Sequence, residues 1–121
     1  MTTPTAAVPS VYDLLARELG AKLAFRFGEA ATADIASKII ARNDPGRVAL
    51  IIVNLSAATV RVRPLSPASA TAGIVLTASG GSVAMNWRDD AILQALEWHA
   101  QASADTSAIL VIEVIMIAAA G

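Results

Sequence analysis

Hydrophobic and polar positions change their period near residue 47. Before it the spacing is helical. Val11, Leu14, Leu15, Leu19, Lys22 and Leu23 form a stripe that leaves Asp13, Arg17 and Glu18 outside it. Ser10 stands where an N-cap belongs, with Asp13 three residues on in a capping-box position. Gly20 weakens this helix, and Gly28 is placed as its C-cap. Phe25 and Phe27 alternate with Arg26, so Leu23 to Phe27 reads equally as a short strand. A second helix is expected from Ala33 to Arg42, capped by Thr32, with Ile35, Ala36, Ile39 and Ile40 toward one side. Asn43-Asp44-Pro45-Gly46 stops it.

From Arg47 the period is two. RVALIIVNL reads as a strand at a sheet centre or buried on both faces. Thr59 to Pro64 alternates, with Val60 and Val62 inward and Arg61 and Arg63 outward. Further strands are expected at Gly73–Leu76, Ser82–Trp87, Leu96–Ala102 and Ala108–Met116, separated by Ser, Gly and Asp turns, Gly80-Gly81 being a hairpin turn. The expected fold is α+β, mainly β. An extended arm (residues 1–9) and a helical segment (10–46) precede an antiparallel β-sandwich or barrel of about six strands (47–121).

Composition narrows the function classes. The chain has 121 residues, one domain's worth, of which 55% are hydrophobic and 16% charged. Such apolar content excludes general disorder. Nine basic residues, scattered against ten acidic ones, disfavour a nucleic-acid face. With no cysteine there is no disulfide framework or thiol chemistry. Ala108 to Gly121 is short of the roughly 20 apolar residues a membrane-spanning helix needs, and Glu113 interrupts it. No membrane partner is expected. Met1 to Pro9 has no basic residue and no apolar core, so synthesis and use without export are expected. A mean hydropathy of +0.59 with so few charges is what a subunit partly covered by neighbours shows. The expected state is a homo-oligomer, or a subunit docked on a larger assembly.

Candidate chemistry is sparse. Asp89 and Asp90, helped by Glu97 and His99, offer a metal or acid/base reading; as turn formers beside Arg88 they offer a structural one. Glu97 and His99 share one strand face, with Trp98 on the other, and suit a partly exposed cross-strand pair. Trp87 and Trp98 can stack on a sugar or anchor a core. Arg61 and Arg63 can meet an anionic surface or protect a sheet edge. No nucleophile elbow or phosphate loop is present, so no catalytic residue, cofactor or metal is assigned. Trp87, Arg88, Trp98, Arg61 and Arg63 remain as possible interaction residues.

The successive stretches VNLSAATVRVRP, AGIVLTASGGSVAMNWRDD and LEWHAQASADTSAILVIEV, from Val53 to Val114, resemble small structural proteins of tailed bacteriophages. The resemblance implies a β-sandwich, no catalysis and a place in the virion, made in the host cytoplasm. It further implies a head decoration or cement role with other capsid proteins as partners. The alternative is a fibre- or tail-associated module that binds a receptor or carbohydrate. A small enzyme using Asp89, Asp90, Glu97 and His99 is the third class considered.

Overall fold

The structure, a computed structural model, describes Ser10, Leu14 and residues 17–117. Among these it places β1 (Lys22–Phe27), β2 (Thr32–Ala33), β3 (Lys38–Ala41), β4 (Arg47–Asn54), β5 (Val60–Pro64), β6 (Ile74–Leu76), β7 (Ser82–Asn86), β8 (Trp98–Ala102) and β9 (Ser107–Ile117). A helical turn, Trp87–Asp90, and a 3-10 turn, Leu93–Ala95, join β7 to β8. One antiparallel sheet runs β1-β9-β4-β7, with β2 also on β9; the other runs β3-β8-β5-β6. The two face each other across one core, which makes the fold mainly β and sandwich-like.

The sandwich begins earlier in the chain than the change of period suggests. Residues 17–19 are helical, and the Leu14 amide donates to Ser10 O at 3.1 Å. The capping-box residue Asp13 and the arm of residues 1–9 lie outside the described residues. The helix expected from Ala33 to Arg42 is absent, and β2, a turn and β3 occupy its place. Ile39 and Ile40 are β-branched and suit a strand. Ala33, Ile40 and Ala41 reach the core from two short strands, which mimics helical spacing. Asp34 ties the turn: its carboxylate accepts the Thr106 amide at 2.8 Å and Lys38 Nζ at 3.1 Å.

Leu23 to Phe27 is strand, paired along its length with β9. Gly28 is therefore no helix cap. Its chain passes so close to both sheets that an added Cβ would lie 2.5 Å from Val111 Cγ1 and 2.8 Å from Ile40 O.

Alternation fills the core. Leu50, Ile52, Ile109, Val111 and Met85 point inward from the five-stranded sheet. Val60, Val62, Leu76, Trp98, Ala100 and Ala102 meet them from the other, Val60 and Val62 as expected. Each buried aliphatic side chain contributes about 1.5–3 kcal/mol.

Both ends of β4 are polar and buried. Asn54 is fully enclosed; its Nδ2 donates to Ala58 O, Leu76 O and Thr77 O at 2.7–3.1 Å, and Oδ1 accepts from the Ser56 amide at 2.9 Å. At the other end Arg47 is 1% exposed. Its Nε donates to Glu113 Oε1 at 2.6 Å, Nη1 to Gln94 O and Leu96 O at 3.0 and 3.1 Å, and Nη2 to Arg42 O at 2.5 Å. Nη2 also pairs with Glu113. Arg26, opposite Glu113 on β1, donates to Glu113 Oε2 at 2.8 Å and to Asp44 Oδ2 at 2.5 Å. Two cations and two anions thus alternate in a chain of no net charge.

Glu113→Ala leaves the Arg47 charge buried without its carboxylate. Urea unfolding is expected to show a loss of about 3–5 kcal/mol; a loss below about 1 kcal/mol would give this pair no more weight than a surface bridge.

Burial pushes the Asp44 carboxyl up, but the Gly46 amide and the Arg26 and Arg47 charges outweigh it and hold it below its ordinary value. The Thr106 amide, then Lys38, hold Asp34 down as well. Carboxyls depressed in the folded state favour folding above their unfolded value, about 3.9, and lose that contribution as pH falls through the folded one. Stability is therefore expected to hold down to about pH 5 and to decline below about pH 4. The decline should be shallower in Asp44→Asn; an equal slope in both proteins would contradict this.

Candidate functional site

The register of the five-stranded sheet sorts its side chains into rows. Arg26, Glu113, Leu50 and Met85 lie in one row facing the core. The adjacent rows face outward. Phe27, Ile112, Ile51 and Ala84 form one; Phe25, Val114, Ala49 and Asn86 form the next. Leu110, Val53 and Ser82 extend the face in one direction, Leu23 and Met116 in the other. This is why AILVIEVIMI carries a single charge: every second residue is in the core, and the others meet an outer face that is also apolar.

An antiparallel sheet usually turns a polar face to water. Here Phe25 is 63% and Phe27 67% exposed, while Ile51, Val53, Leu110, Ile112 and Val114 are half-buried. At one end a shallow hollow of about 330 Å³ lies between Leu19, Leu23, Val48, Trp87 and Val114. The opposite face of the molecule is mixed, with Ile39 and Val75 among charged and polar side chains. Arg61 and Gln101 are paired there, as are Arg63 and His99, and His99 Nε2 lies 2.8 Å from Glu97 Oε1.

Arg61 and Arg63 point outward, as the alternation requires, Arg63 the more exposed. Glu97, just before β8, and His99, on it, do pair, two residues apart in the chain rather than across strands. Trp87 and Trp98 do not form a platform, because Trp87 opens the helical turn after β7 whereas Trp98 points into the core from β8. Trp98 is 1% exposed, and its Nε1 donates to Leu93 O at 2.8 Å. Trp87 is half-buried beneath Arg88, whose guanidinium carbon lies 5.0 Å from the ring centroid. Arg88 also pairs with Glu18, tying the helical residues to this end of the sheet.

Asp89 and Asp90 serve the local backbone. Asn86 Oδ1 accepts the Arg88 and Asp89 amides at 3.0 Å, Asp89 accepts from Asn86 Nδ2 at 3.0 Å, and Asp90 accepts the Asn86 amide at 2.9 Å. Among the described residues, no three His, Cys, Asp or Glu side chains gather as a metal site would require. Nor is any helix among them long and apolar enough to cross a membrane. The sequence reading passed over Phe25, Phe27 and the outward half of β4 and β9. Their signal was present in FRF and IEV, where one charge per strand marks the inward side.

Compared with known protein families, curated proteins and solved structures, the chain matches none.

Trp98→Ala is expected to cost about 3–5 kcal/mol in chemical unfolding, because the indole lies wholly inside. Trp87→Ala should cost markedly less. Equal losses would mean that the two indoles are equally structural.

Proposed function

We propose that this chain is a non-enzymatic structural subunit that self-associates and docks on a larger protein lattice, as a capsid decoration or cement protein of a tailed bacteriophage does. One observation carries the reading: the outer face of the five-stranded sheet is apolar across β1, β9 and β4, with two phenylalanines exposed at its edge. Contiguous apolar area of this kind marks a protein-binding surface. Three acidic side chains are engaged in structure, Asp89 and Asp90 in a helical turn and Glu113 in a buried ion pair. The resemblance of Val53 to Val114 to small phage structural proteins supplies the virion setting, with capsid proteins as the partners.

The receptor- or carbohydrate-binding alternative loses its stacking platform to the burial of Trp98. On a lattice, repetition turns modest contacts into firm attachment. The apolar face supplies the contact, and the face with Arg61, Arg63 and His99 stays toward water.

Light scattering on a size-exclusion column, across a concentration series, tests the assembly reading. The expected mass is a multiple of the 12.4 kDa chain. The double variant Phe25→Ser/Phe27→Ser should return it toward the single-chain value. A wild-type chain that stays at 12.4 kDa throughout would contradict self-association.

A further inference from the structure

Antiparallel residue pairs alternate between those that exchange two main-chain hydrogen bonds and those that exchange none. Next to β1 the Gly28 amide donates to Val111 O at 2.9 Å, which makes Gly28 and Val111 a bonded pair. Counting back along the register, Arg26, Ala24 and Lys22 also bond to β9. The N–H and C=O of Phe27, Phe25 and Leu23 therefore point away from β9. On the far side of β9 the Met116 amide donates to Gly46 O at 2.7 Å, which confirms that its β1 partner Leu23 receives no bond from it. Among the described residues no strand lies beyond β1 to meet these groups.

The other edges are blunted. β6 is only three residues long. β3 shifts register between Ile39 and Ala41, and its Ile40 O already accepts the Glu29 amide at 2.9 Å. On β7 the Asn86 amide is taken by the Asp90 carboxylate at 2.9 Å. Short, irregular or capped edges are how sheets avoid unwanted pairing. β1 runs for six residues with an unbroken register. Its inward charge, Arg26, is neutralised by Glu113 and Asp44 and so does not repel an incoming strand.

We propose that β1 is a strand-addition edge and that its occupant is β1 of a second copy, antiparallel, about a two-fold axis through Phe25 and normal to the sheet. This rests on the self-association part of the reading above and names its contact. The strand is its own complement. With Phe25 opposite Phe25 of the second copy, Leu23 falls opposite Phe27 and Phe27 opposite Leu23. Every outward-turned position then meets another, and three pairs with two bonds each make six N–H···O bonds. A shift of one residue sets each free N–H against a residue whose bonds go to its own β9. A shift of two leaves one position of each copy unmatched.

Side chains agree with that register. Phe25 meets its counterpart across the axis, and Phe27 meets Leu23, both favourable cross-strand pairs. Arg26 falls opposite Ala24, so no like charges stand directly opposed. Rotation about the normal keeps both outer faces on one side, where they join into a single apolar surface. The contact is isologous and closes at two copies. Main-chain bonds rather than buried area supply the hold, so the dimer is weak and concentration-dependent.

The chain has no cysteine, so one introduced thiol reports on its own counterpart alone. Cα atoms of a bonded antiparallel pair lie about 5.5 Å apart, within disulfide reach. Phe25→Cys in a glutathione redox buffer is therefore expected to give disulfide dimer. Position 27 lies about 13 Å from position 27 of the second copy, beyond that reach. Phe27→Cys, equally exposed, should give about tenfold less dimer or lower still. Mixing Leu23→Cys with Phe27→Cys should restore the link. Equal yields at positions 25 and 27 would overturn the pairing.

Hydrogen exchange of the unsubstituted chain supplies an independent arm. The Leu23, Phe25 and Phe27 amides should slow as concentration rises, while those of Ala24 and Arg26, already bonded to β9, stay protected throughout. Unchanged exchange at all three, where light scattering shows association, would overturn edge pairing and leave self-association standing. A chain that stays monomeric by light scattering and gives no disulfide dimer would overturn both.

Discussion

A guanidinium enclosed between two sheets must find acceptors for all five of its N–H groups, and Arg47 finds them on three separate parts of the chain. Glu113 brings β9, Gln94 and Leu96 bring the turn before β8, and Arg42 brings the segment after β3. Both sheets are thereby fixed to one side chain. Asn54 repeats the device at the far end of β4, bonding to Leu76 and Thr77 at the end of the other sheet. Between these polar ends the core needs only Leu50 and Ile52 from β4. The strand's register cannot slip by one residue, because Arg47 and Asn54 would then face outward and their acceptors would be left bare.

That fixed register also determines the outside. With Glu113 and Arg26 held inward, Ile112, Val114, Phe25 and Phe27 must point away from the core. β4 and β9 are therefore apolar on both faces, although only one face is covered by the other sheet. The four-stranded sheet obeys the ordinary rule, with Arg61, Arg63 and His99 outward and Val60 and Val62 inward. A molecule with one outer face whose strand rows carry no charge and another that carries Arg61, Arg63 and His99 is suited to attachment by a single side.

Much of the β half was legible in the sequence. Strict alternation in TVRVRP, a continuous apolar run in RVALIIVNL and Gly-Gly at a hairpin each have one simple structural solution. The segment from Ala33 to Arg42 misled because two short strands separated by a turn deliver Ala33, Ile40 and Ala41 to the core at nearly helical intervals. Its pairing with β8 is set by residues some sixty positions later, which no local pattern contains. Glu113 stood out as a lone charge, but its partners Arg47 and Arg26 are distant in sequence and become neighbours only through the β1-β9-β4 order. The outer face was hidden for the same reason. Phe25, Ile112 and Ile51 belong to three strands, and only their register reveals that they form one surface.

The central claim is that the outer face of the five-stranded sheet is a contact surface. Methyl NMR of the isotopically labelled chain over a dilution series reads it directly, residue by residue. Signals of Ile51, Val53, Ile112 and Val114 should move with concentration, while those of Ile39 and Val75 on the other sheet stay fixed. Concentration-dependent shifts confined to Ile39 and Val75, or no shifts on either face, would contradict it.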